Sequence, residues 1–264
     1  MRLTVLGCSG SFAGPDSPAS SYLVQADDAD GRQWSILLDL GNGALGALQR
    51  HLSPLALDAV FISHLHPDHC ADLTGLYVVR KYHPSGEPTP PLPVHGPAGT
   101  LDHMVQMYFD SDPAEMAQQF EVAGATDAVP VDLGPFTVIP YAVDHPVPAF
   151  GYRVECGGRT LAFTGDTDTC ANLGPLMAGA DLVLADSAFV DGRDDTRGIH
   201  LTGSRAAQAA VDAGGVGRLM LTHIPAWNDP QVCRAQAAAV WPGHVELAVA
   251  GATYDLSEAA DPPH

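Results

Sequence analysis

Residues 63–70 read SHLHPDHC, an H-x-H-x-D-H pattern made by His64, His66, Asp68 and His69. It directly follows the apolar run Ala59–Ile62, which has strand length and strand composition. In an extended segment residues i and i+2 point the same way, so His64 and His66 can grip one ion. Asp68 and His69 can then turn to a second ion beside it. Mixed imidazole and carboxylate donors suit Zn²⁺, Mn²⁺ or Fe rather than Ca²⁺. Structural zinc sites are closed and Cys-rich, whereas the 5 cysteines here form no C-x-x-C pair. The bland alternative is a solvated loop carrying three unpaired imidazoles.

Three more polar residues share the placement of His64. His145 follows the run Thr137–Val143, Asp166 follows Leu161–Gly165 in TGDT, and His223 follows Leu219–Thr222 in LTH. Singly, Asp166 reads as a turn residue and the two histidines as surface histidines. Jointly they are polar residues just beyond the ends of separate apolar strands, where α/β proteins build sites. A fourth feature is His200-Leu201-Thr202-Gly203, an H-x-T sequence before the helical stretch Ser204–Ala213. Thr202 is a candidate N-cap there. A histidine at a helix N-terminus sits where anions bind, and imidazole is a suitable general acid. Taken alone, His200 reads equally well as an ordinary residue before a helix.

The rest of the chain sets the frame for these residues. Short runs bounded by Gly, Pro, Asp or Ser recur at Leu3–Leu6, Tyr22–Val24, Trp34–Leu38, Tyr152–Val154, Thr160–Phe163, Leu182–Ala185 and Glu246–Val249. Ala26–Gly31 reads as a hairpin turn. Helical stretches are fewer: Ala71–Tyr82, Ala98–Tyr108, Ser204–Ala213 and Gln231–Val240. Many strands with interspersed helices mean α/β or α+β layers. The Pro-rich segment His83–Pro97 reads as a loop. One domain over residues 1–257 is expected, with 258–264 as a disordered tail.

Composition excludes several classes. With 12 Lys+Arg against 31 Asp+Glu the formal net charge is −19, which leaves no broad basic surface for a large nucleic acid. A charged fraction of 16% beside 46% apolar residues is not that of a disordered acidic chain. There is no signal-type apolar region and no 18-residue apolar run, so no membrane association is expected. With an odd cysteine count, the reading is a cytoplasmic protein. The 12 histidines match all the Lys and Arg together. Six of them are the six named above.

These residues resemble the metallo-β-lactamase-fold hydrolases, and the match runs in order through nearly the whole chain. The resemblance implies a four-layer αββα sandwich with a two-metal site at one edge. It implies one metal on His64, His66 and His145, a second on Asp68, His69 and His223, and Asp166 bridging. The metals implied are two divalent ions, foremost zinc, with manganese or iron compatible. Asp166 in place of cysteine points to the phosphodiesterase and esterase branches. The H-x-T sequence is similar to that of the ribonuclease Z-like branch, where it contacts phosphate and protonates the leaving oxygen. Catalytic roles accordingly fall to Asp68, His200 and Thr202, with Asp68 orienting the nucleophile as well as binding metal.

Within that branch, tRNA 3′-processing enzymes carry a long arm, in bacterial forms usually between the His145-like and Asp166-like ligands. Only 20 residues separate those positions here. The stretches Gly14–Leu23, Gly41–His51 and Leu221–Trp227 resemble actinobacterial-type members that hydrolyse 3′,5′-cyclic nucleotides. The expected function is therefore hydrolysis of a small phosphodiester, cyclic AMP or cyclic GMP, by a bridging hydroxide on the metal pair. The alternatives are a tRNA endonuclease, an ester, thioester or lactam hydrolase, and a non-catalytic metal- or nucleotide-binding sensor. A homodimer is compatible, since many members of the fold form dimers. Phe150, Tyr152, Trp227 and Tyr82 are candidates for stacking on a base, against an alternative of core or loop packing.

Overall fold

The computed structural model describes residues 1–85, 89–109 and 112–256. The tail expected at 258–264 lies outside them. Two seven-stranded sheets are built from successive halves of the chain. The first uses β1 (Arg2–Gly7), β2 (Ser21–Asp27), β3 (Gln33–Leu38), β4 (Ala59–Phe61), β5 (Leu92–Gly96), β6 (Phe120–Gly124) and the late strand β14 (Thr253–Asp255), in the order β14-β1-β2-β3-β4-β5-β6. The second uses β7 (Val131–Leu133), β8 (Phe136–Ala142), β9 (Phe150–Cys156), β10 (Arg159–Phe163), β11 (Leu182–Asp186), β12 (Leu219–Thr222) and β13 (Val245–Leu247), ordered β13-β12-β11-β10-β9-β8-β7.

Successive side chains on a strand face opposite ways, and here both faces are buried. Tyr22, Val24, Ile36, Leu38 and Phe61 meet Val138, Tyr152, Leu161, Phe163 and Leu184 between the sheets. The alternate residues Leu23, Leu37, Val60 and Ile62 pack outward on α1 (Ala44–Leu48), α3 (Leu73–Tyr82), α4 (Thr100–Met107) and α5 (Pro113–Ala117). The outer face of the second sheet, with Ala162, Val183, Ala185 and Leu221, is covered by α6 (Leu173–Met177), α7 (Gly203–Asp212) and α8 (Pro230–Ala238). The result is four layers, helix–sheet–sheet–helix.

Two sequence readings need revision. The helix expected over Ala71–Tyr82 starts at Leu73 as α3, and a separate short helix not expected from the sequence, α2 (Pro67–Cys70), precedes it and carries Asp68 and His69. The segment His83–Pro97 is not all loop, because β5 lies inside it and pairs in parallel with β4 and β6. Proline is tolerated there for a specific reason. Leu92 donates to Gln119 O on the β6 side, so the absent N–H of Pro93 faces β4, whose pairing begins only at Val60 with Val94.

Candidate metal centre

The strand ends converge as the topology requires. β3 and β4 are parallel neighbours in one sheet, and β10, β11 and β12 in the other. Their C-terminal ends deliver Asp39, His64, Asp166, Asp186 and His223 to one edge of the sandwich. His145 arrives after β8, whereas Asp68 and His69 come from the short turn of α2.

Three groups form there. His64, His66 and His145 have ligand atoms within 4.8 Å of one another, and so do Asp68, His69, Asp166 and His223. Asp186, His200 and His223 form a third group on the same criterion. In the first group His64 Nε2 and His145 Nε2 stand 3.0 and 3.2 Å from His66 Nδ1. In the second, Asp166 lies 3.2 Å from His69 Nε2 and 3.1 Å from His223 Nε2, and its Oδ2 is 3.6 Å from His64 Nε2. Asp166 thus touches both groups.

His69 Nε2, His223 Nε2 and Asp166 Oδ1 are buried and, among the described residues, have no partner in hydrogen-bond geometry. Orphaned buried polar atoms are rare and need an explanation. Borderline nitrogen donors facing carboxylate oxygens provide one: the set fits divalent transition ions.

The other ring nitrogens are pinned. His69 Nδ1 is 2.7 Å from Asp39 Oδ2, His223 Nδ1 is 2.8 Å from Ser20 Oγ, and His145 Nδ1 donates to Ile199 O at 2.9 Å. His64 Nδ1 is 3.1 Å from Ser63 Oγ. Such partners fix tautomer and ring orientation and leave Nε2 for the ion. Asp39 is fully buried and also accepts from Ser63 N at 2.6 Å and Ser63 Oγ at 2.8 Å.

Electrostatics show that this cluster demands positive charge. Burial would lower the affinity of His69 for a proton, yet Asp166 and Asp39 outweigh it and hold His69 well above the usual histidine range. Burial would raise Asp166, but His223, His69 and His64 hold it well below the usual carboxylate range. His64 is pushed well down by burial, then by His69, and stays neutral. A cation binding here would release the proton from His69.

His200 stands beside both groups, its ring 5.6 Å from that of His145 and 5.4 Å from that of His223. Its Nδ1 is 2.9 Å from Asp186 Oδ2. Burial pulls this imidazole down, but the Asp186 carboxylate prevails and lifts it to about 9. Thr202 is in none of the three groups. Its hydroxyl caps α7 by accepting from Arg205 N, and lies 3.1 Å from Ser204 Oγ. Cys70 is buried with its Sγ on His66 O.

Close backbone approach explains two glycines. A Cβ on Gly41 would lie 1.9 Å from Asp68 O, and one on Gly10 would lie 2.2 Å from His223 O. His223 itself holds a left-handed φ of 55°, a strain that persists only where the surroundings impose it.

Sequence reasoning missed Asp39 and Asp186. The available signal was the one that found Asp166, an acid just past an apolar strand. Of the aromatic candidates, Tyr152 is buried and donates to Ile62 O, and Phe150 packs against the inter-sheet core.

A helix–sheet–sheet–helix sandwich with histidines and carboxylates gathered at one edge defines a metallo-hydrolase of the metallo-β-lactamase fold. Residues 35–224 match the family model described as "Beta-lactamase superfamily domain", and the chain belongs to that family. The uncharacterized protein Rv1339 of Mycobacterium tuberculosis is 38% identical over 262 residues, covering 98% of this chain and 93% of its own. The probable metallo-hydrolase YhfI of Bacillus subtilis is 30% identical over 258 residues, 97% of this chain and 100% of its own. The crystal structure of YhfI, a metallo-beta-lactamase fold protein, matches with a TM-score of 0.82, covering 96% of this chain and 99% of its own. A ribonuclease Z of Mycobacterium bovis is 29% identical over 272 residues, 94% of this chain and 95% of its own. These likenesses are consistent with the ribonuclease Z-like branch, and they weaken the expectation, drawn from charge and from the short stretch between His145 and Asp166, that no large nucleic acid is a partner. Among the described residues no helix is long and apolar enough to cross a membrane.

Proposed function

We propose that this protein is a phosphodiesterase that hydrolyses a small phosphodiester, foremost a 3′,5′-cyclic nucleotide, with two divalent ions, foremost zinc. His64, His66 and His145 would hold one ion, Asp68, His69 and His223 the other, and Asp166 both. Two such ions would supply a water acidic enough to ionise near neutral pH and positive charge for the phosphate oxygens. The chain's own groups do the rest. Asp39, Ser63, Ser20 and the Ile199 carbonyl keep the imidazoles oriented. His200 gives its proton to the leaving alkoxide. Thr202, whose hydroxyl oxygen accepts from both Arg205 N and Arg205 Nε, donates its own proton to a phosphate oxygen.

One observation carries the reading: the His200 imidazole, held 2.9 Å from the Asp186 carboxylate, stands 5.4–5.6 Å from the rings of His223 and His145 in the ligand cluster. The Asp186 carboxylate favours the protonated ring, the form that a general acid for a poor alkoxide leaving group needs. The ribonuclease Z relatives favour a second reading, tRNA processing. Against it, the stretch between His145 and Asp166 is taken up by β9 and β10, and the net charge is −19. Metal-loaded protein should be assayed on cyclic AMP, cyclic GMP, bis(p-nitrophenyl) phosphate and a 3′-extended tRNA. Turnover of a cyclic nucleotide supports the proposal. Preferred cleavage of the tRNA replaces it with the nuclease reading, and no turnover on any substrate at full metal occupancy overturns both.

A further inference from the structure

Two large aromatic side chains stay in solvent on segments that meet at His223. Trp227 is 65% exposed and Phe12 38% exposed, and their rings pack on each other with centroids 4.8 Å apart at 44°. They come from opposite ends of the sequence, but both segments are anchored at His223. Trp227 is four residues beyond it, so its Cα lies within about 14 Å of that of His223. Phe12 is two residues beyond Gly10, the glycine packed against the His223 carbonyl.

Both segments are held rigidly. Ser11 has a left-handed φ of 63°, and Phe12 N donates to Gly10 O at 2.7 Å. On the other side, Asn228 N closes a turn on Pro225 O at 2.9 Å. The Asn228 side chain donates to Ala188 O at 2.8 Å and accepts from Arg193 Nη1 at 2.7 Å. Exposed aromatic rings on constrained backbone lose little entropy when a ligand covers them.

We propose that Phe12 and Trp227 form the platform on which the planar base of a nucleotidyl substrate stacks while its phosphate sits at the metal centre. The inference rests on the phosphodiester reading and adds to it the residues that would recognise the base of such a substrate. Phe12 and Trp227 set specificity and take no part in bond breaking. Stacking on an aromatic tolerates any base because every base has a π-face, so the platform selects for the presence of a base more than for its identity.

The test is an equilibrium titration of metal-loaded protein, read by tryptophan fluorescence and by calorimetry. The probes are adenosine 5′-monophosphate and ribose 5-phosphate, which differ only in the base. Trp34 and Trp241 are more buried than Trp227, so stacking should quench the exposed indole. The expected result is that adenosine monophosphate binds more tightly than ribose 5-phosphate and quenches fluorescence. Trp227→Leu and Phe12→Leu should each weaken the nucleotide on the order of 10-fold, with the loss confined to the base-bearing probe. Equal binding of the two probes, unaltered by either substitution, overturns the platform and leaves the phosphoester reading standing. Binding of neither probe overturns the phosphoester reading and the platform with it.

Discussion

Asp39→Asn tests how the site is held together. In the native arrangement three donors converge on two carboxylate oxygens: Ser63 N on Oδ1, and Ser63 Oγ and His69 Nδ1 on Oδ2. When an ion displaces the Nε2 proton of His69, the Nδ1 proton stays hydrogen-bonded to Asp39 and the Nε2 lone pair is free to bind. An amide of the same shape keeps one oxygen, which Ser63 N will claim. Its NH2 then faces His69 and donates to Nδ1, so the neutral ring carries its only proton on Nε2, where the native neutral ring offers a lone pair to the ion. Substitution of such outer partners weakens metal binding about 10- to 100-fold, equivalent to about 1.4–2.7 kcal/mol. Loss of a charge-assisted hydrogen bond should also lower the stability of the metal-free protein by about 1.5–3 kcal/mol. Competition titration of Zn²⁺ against a chromophoric chelator reads the first effect, and urea denaturation of metal-free protein reads the second. The weakening should fall on one of two ions. Unchanged affinity for both ions, with stability alone reduced, would show that Asp39 does not act through a metal ligand.

Other consequences follow from the same geometry. Gly10→Ala puts a Cβ against the backbone carbonyl of His223, where no side chain can swing aside; thermal melts should show about 1–3 kcal/mol of destabilisation, and an unchanged melt would mean that the two segments are not so closely apposed. His200→Ala should keep both ions and lose at least ~10²-fold in kcat; loss of metal instead would make it a ligand. Asp168 is held near 2: burial opposes this, but Arg197 and the backbone N–H groups of Gly198 and Thr169 prevail. A depressed carboxylate stabilises the fold above its unfolded value, and that contribution disappears as pH falls through the folded value. The stability gap between the native protein and Asp168→Asn, followed by denaturation against pH, should therefore persist above pH ~4 and close near pH 2. A gap independent of pH would refute the assignment.

What could be read from the sequence depended on local spacing. His64, His66, Asp68 and His69 are legible because two chain periodicities, extended and then helical, bring near neighbours together. His145, Asp166 and His223 could be picked out by position after strands, since parallel strands end on one side. The partners of these residues left no such mark. Asp39 and His69 meet across the β3–β4 pair, and Asp186 reaches His200 from the end of β11. A single acid after a strand is common, and only the register of the sheets makes these two special. Phe12 and Trp227 are 215 positions apart in the chain, and nothing local to either announces the other. β5 is obscured by Pro93 and the prolines that flank it, because the vacancy that accommodates Pro93 is a property of where β4 begins to pair.

The number of metal ions held per chain tests the dinuclear centre most directly. Native mass spectrometry of protein loaded with Zn²⁺ and desalted should show two ions on the native chain. It should show fewer on Asp166→Ala, because Asp166 approaches His64 of one group and His69 and His223 of the other. A native chain that retains one ion or none, or an Asp166→Ala variant that still holds two, would contradict the dinuclear centre and the phosphodiesterase built on it.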